Sequence, residues 1–403
     1  DQNRLFTQMK GKTIGVSIKD RGAVFPSGHT ANGAYWFEGS DEGKWMTSSY
    51  YMDTLPQWVI DFNAPSKISN YVKTWNTLYD INLYGESGPD ASDYEQGFKG
   101  KSTPEFPYDL NALMELNGGF DIIKSTPFGN TMITDFALAA IEAENLGTDD
   151  YTDFLTVSYS STDYIGHNFG VNSVELQDTY LRLDLELERL LNYLDTKVGA
   201  GNYTLFLTSD HGAADVPSFL TDIHIPSGYV PKNSFASLYT NLQKKYGVSD
   251  LIKKISNNQV FLNQERITVL KLDLEDVQKY VVNEIISYPH IKKAYTATTM
   301  QTRYFKEGVE KMLQNGYNQK LSGDVLYTLE SGVISYGPKG TTHGSGFNYD
   351  THVPLLFYGN GIQSGKTYDR TSVTDIAPTI SALLGIAFPS GSTGAVIEKA
   401  IDQ

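Results

Sequence analysis

The spacing of apolar and polar residues along the chain predicts alternating strands and helices. Short runs of apolar and β-branched residues predict buried strands at 13–18, 154–158, 203–207 and 353–358. Apolar residues at helical spacing predict helices at 131–144, which stops before Gly147, and at 174–198. The order strand, loop, helix, strand is typical of a parallel sheet. We therefore predict an α/β fold with a mostly parallel central sheet sandwiched by helices.

Two long stretches depart from this regular pattern. Residues 29–127 are rich in aromatic, Gly, Pro and Ser residues and have little periodicity, so we predict an irregular, mostly surface segment with short helices, such as one near 68–78. Lysine pairs, amide-rich segments and amphipathic helices at 234–246, 274–287 and 302–315 characterise residues 217–331. We interpret 217–331 as a cap subdomain inserted into a core formed by 1–216 and 332–403.

Composition narrows the possible functions. A chain of 403 residues fits one large domain with an insertion, or two domains. Its net charge of -15 argues against nonspecific nucleic-acid binding, which needs a basic surface. The absence of cysteine excludes disulfides, thiolate catalysis and cysteine zinc sites, so His and carboxylates remain as metal ligands. The chain has no apolar run of membrane-spanning length, and its first residues do not resemble a signal peptide.

Three separate motifs together predict a metal site. They are Asp163-Tyr164-Ile165-Gly166-His167, Asp210-His211-Gly212 and Thr342-His343-Gly344. The first two follow predicted strands, and in open α/β sheets ligands gather at the carboxyl edge. Carboxylate oxygen and imidazole nitrogen suit zinc and similar divalent ions. In a helical turn, Asp163 and His167 would share one side, whereas Asp210 and His211 need a sharp loop to reach one ion.

Each motif also has a structural interpretation. Asp163 could cap a helix and leave His167 partly exposed, and His343 could be an incidental residue in a glycine-rich loop. Lys19 and Arg21 flank Asp20 at a strand end, where such a pair is usually a solvated turn. Beside a metal site, the same two cations would suit a phosphoryl or sulfuryl group. The small hydroxyl residues 160–162 are explained most simply by turn formation.

These motifs resemble the metal-ligand signature of the alkaline phosphatase superfamily in both order and separation. Residues 15–23 (GVSIKDRGA) and 28–36 (GHTANGAYW) resemble the PafA-type alkaline phosphatases of Bacteroidetes-like bacteria. The resemblance extends over essentially the whole chain, including the cap. It implies a bacterial zinc phosphomonoesterase that is periplasmic or secreted, acts on small phosphate monoesters and lacks a membrane span. It also implies in-line displacement through a phospho-threonine intermediate.

The resemblance assigns roles to seven residues. It implies that Asp163, His167 and His343 bind one zinc ion, that Asp210 and His211 bind the second, and that Lys19 and Arg21 contact the phosphate oxygens. In the family, a further aspartate ligand, the threonine nucleophile and an asparagine precede the Lys-x-Arg motif. This chain begins after that point. We therefore expect an inactive fragment of the enzyme, with an incomplete second zinc site and an apolar sheet edge.

Other functions remain open at this stage. A nucleotide pyrophosphatase/phosphodiesterase of the same superfamily would share the metal ligands, although the Lys-x-Arg pair disfavours it. A sulfatase would need a modified Cys or Ser motif, and a cofactor-independent phosphoglycerate mutase carries a different ligand set. A non-catalytic binding protein is the alternative from another functional class. The sequence does not reveal the physiological ester, the oligomeric state or the role of the cap.

Overall fold

The computed structural model describes residues 1–40, 42–231 and 233–401. The chain forms two compact units. The first unit comprises Asp1–Asp210 and Val353–Gln403, and the second comprises His211–His352. The predicted insertion, residues 217–331, lies within the second unit.

The strands follow one another along the chain with helices and loops between them. They are β1 (Thr13–Ser17), β2 (Gly33–Glu38), β3 (Lys44–Met46), β4 (Thr74–Trp75), β5 (Tyr108–Asp109), β6 (Phe154–Ser158), β7 (Thr204–Thr208), β8 (Gly228–Tyr229), β9 (Ile252–Ser256), β10 (Gln259–Leu262), β11 (Ile291–Thr296), β12 (Val325–Leu329), β13 (Val333–Ile334) and β14 (Leu355–Gly359).

The helices range from single turns to more than five turns. They are α1 (Gln2–Phe6), α2 (Asp20–Ser27), α3 (Gln57–Phe62), α4 (Pro65–Ile68), α5 (Leu110–Leu113), α6 (Pro127–Ala143), α7 (Ser161–Phe169), α8 (Val174–Leu194), α9 (Pro217–Asp222), α10 (Ala236–Tyr246), α11 (Gln264–Val269), α12 (Leu274–Ile285), α13 (Ala297–Thr302), α14 (Gly308–Gly316), α15 (Asn348–Thr351) and α16 (Ile376–Leu384). Short 3-10 helices occupy Ser69–Tyr71, Ile81–Leu83, Met114–Asn117, Gly119–Ser125, Val373–Asp375 and Glu398–Ala400, and a π-helical turn, Asp195–Gly199, follows α8.

The main sheet of the first unit has the order β3-β2-β1-β6. β1 pairs in parallel with both β2 and β6, and β3 is antiparallel to β2. β1 is buried at every position, as its apolar, β-branched sequence predicts. The predicted strands at 13–18, 154–158 and 203–207 are confirmed to within one residue at each end. A separate antiparallel pair joins β7 and β14 in the same unit.

The strands that precede the first two metal motifs are only partly shielded. In the described ranges, β6 pairs with β1 alone and β7 with β14 alone. Every residue of β6 has intermediate exposure, and Thr204 and Phe206 of β7 are exposed. The prediction that these strands are buried is therefore wrong. A strand with a neighbour along only one edge leaves part of its apolar surface accessible to water.

Aromatic side chains dominate the core of the first unit. Phe136 of α6 stacks on Trp45 of β3, with ring centroids 3.9 Å apart, and Trp75 packs against Tyr108. Both tryptophans are fully buried. The prediction of an irregular, mostly surface segment with short helices at 29–127 is confirmed, because most of its described residues are exposed or half-buried and its helices are short. Burial of the large aromatic rings fixes this segment despite its lack of periodicity. The single helix predicted near 68–78 does not form, since Trp75 belongs to a short strand paired with β5.

The second unit has a four-stranded antiparallel sheet in the order β11-β12-β10-β9. Apolar residues of α10 and α12 pack in its core: Leu238, Leu242, Val277, Val281 and Ile285. These two helices confirm the predicted amphipathic segments. The helix predicted at 302–315 is present as α14 but begins later than predicted, because extended backbone at Arg303 and Glu307 separates it from α13.

The longest stretch of α-helix in the first unit is amphipathic rather than uniformly apolar. α8 has 21 residues and carries acidic and basic side chains along its length, and Tyr180 on its apolar face is 57% exposed. Within the part of the chain that the structure describes, no helix has both the length and the apolar character that a membrane span requires.

Candidate metal centre

In the first unit, the aspartate and histidine of the first motif lie side by side on α7. This helix begins directly after β6, and Asp163 is in its first turn with His167 one turn later. Nε2 of His167 lies 3.4 Å from Oδ1 of Asp163. The prediction that a helical turn places both groups on one side is therefore confirmed. Two donors of different chemistry are thus available to one divalent ion.

Packing against α6 fixes the start of α7. The Asn130 side chain donates from Nδ2 to Oγ1 of Thr162 over 3.2 Å. Its Oδ1 accepts a hydrogen bond of 3.3 Å from the backbone N–H of Ser161. Asn130 is itself buried on α6. A buried side chain therefore satisfies one of the N–H groups at the N-terminus of α7 and holds the turn that carries Asp163.

Lys19 reaches the same carboxylate from the neighbouring strand. Its ammonium forms an ion pair with Oδ2 of Asp163 and lies 4.8 Å from the ring centroid of Tyr164. The backbone N–H of Lys19 donates to Oγ of Ser17 over 3.0 Å, at the end of β1. Asp163 is thus contacted by a cation on one oxygen and an imidazole on the other.

Arg21 has a different environment. Its guanidinium lies 3.6 Å from the carboxylate of Asp20, and its side chain is 72% exposed. Lys19 occupies the N-cap position of α2 without a capping side-chain hydrogen bond, and the exposed residues Asp20 and Arg21 form the first turn of this helix. The structure therefore brings Lys19, but not Arg21, into contact with Asp163.

Three serine hydroxyls connect the ends of β1 and β6. Oγ of Ser160 lies 2.8 Å from Oγ of Ser17 and 2.8 Å from Oγ of Ser158. This network supports the interpretation of Ser160 as local turn chemistry, whereas Ser161 and Thr162 belong to α7. It also ties together the two strand ends that carry Lys19 and Asp163.

In the second unit, the histidines of the other two motifs stack on one another. The imidazole rings of His211 and His343 have centroids 3.3 Å apart and planes inclined by 12°. Nδ1 of His211 lies 2.8 Å from the carbonyl oxygen of Gly212, which can only accept a hydrogen bond. Nδ1 therefore carries the proton, and the lone pair is on Nε2, the tautomer in which Nε2 binds a metal.

The two loops that carry these histidines are joined by hydrogen bonds. Oγ1 of Thr341 donates to the carbonyl of Ala214 over 2.6 Å, and the N–H of Ala214 donates to the carbonyl of Thr342 over 3.3 Å. Asp350 adds further bonds to both loops. The donor pair His211 and His343 is therefore held within one hydrogen-bonded framework.

The remaining predicted ligand, Asp210, lies at the division between the units. It ends the first segment of the first unit, and His211 begins the second unit. Asp210 is exposed. The predicted residues thus fall into two groups, with Asp163, His167 and Lys19 in contact in the first unit and the two stacked histidines in the second. Oxygen and nitrogen donors of this kind fit a divalent transition ion such as zinc.

Sequence reasoning did not single out Asp350 or Tyr164. Tyr164 lies inside the first motif, but nothing in its spacing indicates that Lys19 lies over its ring. Asp350 follows His343 by seven residues in a loop without a regular pattern, so the sequence carries no signal for its contacts.

Comparisons with known proteins place this chain among the α/β phosphoester hydrolases. Its sequence matches the family described as type I phosphodiesterase / nucleotide pyrophosphatase over residues 10–353. The chain belongs to this family, within the alkaline phosphatase superfamily, as its motifs predict.

Relatives and a solved structure agree with that assignment. The chain is 45% identical over 409 residues to a protein from Myroides odoratus named calcium-transporting ATPase. The matched region covers all of this chain and 74% of the relative. It is 43% identical over 406 residues to alkaline phosphatase PafA of Elizabethkingia meningoseptica, with the same coverage. The crystal structure of wild-type PafA matches with a TM-score of 0.94 at 41% identity, covering the whole chain and 77% of that structure. The predicted α/β fold is confirmed.

Proposed function

We propose that this protein is a zinc-dependent phosphomonoester hydrolase of the alkaline phosphatase type. The observation that carries the proposal is the group on α7, where Asp163 contacts both His167 and the ammonium of Lys19. A metal-binding carboxylate beside a cation suits a phosphoryl group, because both offset negative charge on its oxygens. Similarity to alkaline phosphatase PafA supports the same substrate class.

The ligand assignment follows the resemblance of the three motifs to the alkaline phosphatase superfamily. Asp163, His167 and His343 bind one zinc ion, and Asp210 and His211 contribute to a second. Zinc accepts this mixture of carboxylate oxygen and imidazole nitrogen. When bound, the two ions supply Lewis acidity toward the phosphoryl oxygens and toward the attacking and leaving oxygens.

Lys19 and Arg21 bind the non-bridging phosphate oxygens in this proposal. Lys19 exchanges its contact with Asp163 for a phosphate oxygen, and the exposed Arg21 supplies a planar pair of N–H donors. The reaction is an in-line displacement through a phospho-threonine intermediate. The two side chains offset charge on the equatorial oxygens and orient the phosphoryl group for attack.

Activity of the gene product, expressed as encoded, tests the proposal. We expect hydrolysis of a phosphate monoester to exceed that of a matched diester. Lys19→Ala combined with Arg21→Ala should lower monoester turnover by about 10²-fold or more, and diester turnover far less, because a diester has one charged oxygen fewer. Equal losses on both substrates would remove the monoesterase assignment.

A diesterase is the second candidate, because the matched family is described as type I phosphodiesterase / nucleotide pyrophosphatase. It predicts the reverse rate ratio in the same assay. A non-catalytic binding protein predicts no turnover of either ester and no stoichiometric zinc by elemental analysis. One preparation therefore separates the three possibilities.

The substrates and location follow from the same assignment. We propose small phosphate monoesters as substrates and export to the periplasm or beyond, which would give the enzyme access to external esters. Cell fractionation of the native host, with detection of this protein in each fraction, tests the location. Recovery in the cytoplasmic fraction alone would contradict export.

A further inference from the structure

One buried aspartate of the second unit contacts the loops of both stacked histidines. Asp350 lies on α15 and is 4% exposed. Its Oδ2 accepts hydrogen bonds from the backbone N–H of Gly344, over 3.0 Å, and of Ser345, over 2.6 Å. Its own backbone carbonyl accepts a bond of 2.7 Å from the N–H of Gly212. Gly212 and Gly344, which follow the two histidines, therefore both donate a backbone hydrogen bond to Asp350.

The backbone around these bonds has little freedom. A Cβ atom added to Gly212 would lie 2.1 Å from the carbonyl oxygen of Tyr349, so this loop packs directly on the chain next to Asp350. Gly344 has a φ of 114°, which favours glycine. Gly212 thus allows its loop to approach α15 closely, and Gly344 allows the backbone conformation that follows His343.

The second carboxylate oxygen of Asp350 differs from Oδ2 in its hydrogen bonding. Oδ1 is buried and has no hydrogen-bond partner in the described part of the chain. Buried polar atoms in native proteins are nearly always paired, so this carboxylate oxygen is an unusual feature of the second unit. Residues that are not themselves ligands commonly fix the orientation of metal-binding histidines.

We propose that Asp350 is a positioning residue of the metal centre, which holds His211 and His343 in the orientation that binds the ion. Its Oδ2 and its carbonyl fix the two loops, and its Oδ1 places a buried negative charge beside them. This inference rests on the proposed function, in which both histidines are zinc ligands. It assigns Asp350 no direct contact with metal or substrate.

Zinc affinity of the purified chain tests the inference without an activity assay. We expect Asp350→Ala to weaken zinc binding about 10- to 100-fold in competition with a chelating dye, as for other residues that support metal ligands. Asp350→Asn keeps an oxygen for the two backbone N–H groups but loses the charge. The asparagine variant should recover part of the zinc affinity. It also allows the measurement to be made if the alanine variant does not fold.

Asp324 offers a matched control in the same unit. It is buried, and its carboxylate accepts bonds of 2.7 Å from the N–H of Leu262 and from Nε2 of Gln264. Asp324→Ala should lower thermal stability in the metal-free state while leaving zinc affinity unchanged. A general loss of folding would weaken zinc binding in both aspartate variants.

Two results would overturn the inference. If Asp350→Ala and Asp350→Asn bind zinc as tightly as the wild type, Asp350 merely stabilises the fold. If Asp324→Ala loses as much affinity as Asp350→Ala, the effect is not specific to the histidine loops. A wild-type chain that takes up no zinc would contradict the proposed function itself. The inference about Asp350 would then be contradicted as well.

Discussion

Lys19 and Asp163 form an ion pair although 144 positions separate them in sequence. Lys19 follows β1 and Asp163 follows β6, and these neighbouring strands are parallel, with Ser17 opposite Ser158. The carboxyl ends of parallel strands meet at one edge of a sheet, so residues just beyond those ends come together. The contact between a candidate phosphate-binding cation and a candidate metal ligand therefore results from strand order.

Lys19→Met should separate metal binding from phosphate binding. Removal of the ammonium takes away the ion pair between Lys19 and Asp163, so zinc no longer competes with Lys19 for this carboxylate. We expect zinc affinity to be retained or increased, while kcat/KM for a monoester falls by about 10²- to 10³-fold in the gene product, the loss typical of one electrostatic donor.

Lys12→Met is the matched control, because Lys12 is also part-exposed, lies at the start of β1 and pairs with Glu144 at 3.4 Å. It should change neither zinc affinity nor turnover. A parallel loss of zinc in Lys19→Met would show that the ammonium supports the metal site rather than the substrate.

Single substitutions of the histidines should reduce zinc content. Because the proposal divides the histidines between two zinc ions, we expect His167→Ala and His343→Ala to lose tight binding of the same ion, and His211→Ala to affect the other. Elemental analysis after gel filtration would give the stoichiometry, and calorimetric titration would give the affinity of each step. His29→Ala, at an exposed histidine outside the motifs, should match the wild type.

A loss of the same zinc equivalent in all three variants would contradict the assignment to two separate sites. It would favour a single ion shared among the histidines. Unchanged stoichiometry in every variant would remove these residues from the metal centre altogether.

The sequence predicts those features of the fold and site that depend on local pattern. Asp163 and His167 could be placed on one side of a helical turn because of their spacing of four residues, although the helix α7 that contains them was not itself predicted. The strand β6, which precedes both residues, and its neighbour β1 could be predicted from short runs of apolar and β-branched residues. A parallel arrangement of β1 and β6 then suffices to bring Lys19 near Asp163.

Features that depend on tertiary contacts could not be predicted in this way. Trp75 lies in an aperiodic segment, and its burial is explained by packing against aromatic rings such as that of Tyr108 and by its hydrogen bond to Asp178. Asp350 has no motif around it, since its role arises from two backbone segments that are distant in sequence. The partial exposure of β6 likewise depends on which strands pair, and not on its own composition.

Loss of Asp178 should destabilise the first unit. This fully buried carboxylate on α8 accepts hydrogen bonds from Trp75 Nε1, Leu78 N–H, Tyr84 O–H and Arg182 Nε at 2.6–2.7 Å. Asp178→Ala leaves several buried donors without an acceptor, so we expect a loss of about 3 kcal/mol or more in free energy of unfolding. Urea unfolding measures it, with Asp184→Ala on the exposed side of α8 as the control. A change below about 1 kcal/mol would show that water replaces the aspartate.

Glu175 should make stability depend on pH in a defined direction. Burial raises the pKa of this carboxyl from 4.5 to about 8, and the nearby charges of Asp90 and Asp178 add to the increase, while the hydrogen bond from Tyr108 opposes it. Between pH 4.5 and about 8 the folded state therefore retains a proton that the unfolded state has lost. Its contribution to stability is present below pH 4.5 and is lost as the pH rises toward 8.

Glu175→Gln tests this linkage, because glutamine resembles the protonated side chain and can still accept the bond from Tyr108. Relative to the wild type, the variant should gain stability steadily from pH 5 to about pH 8 and then level off. Tyr108→Phe removes the opposing hydrogen bond and should extend the dependence to higher pH. Free energies of unfolding at matched ionic strength measure both effects. A difference between variant and wild type that stays constant across this range would mean that Glu175 ionises in the folded protein as readily as in the unfolded chain.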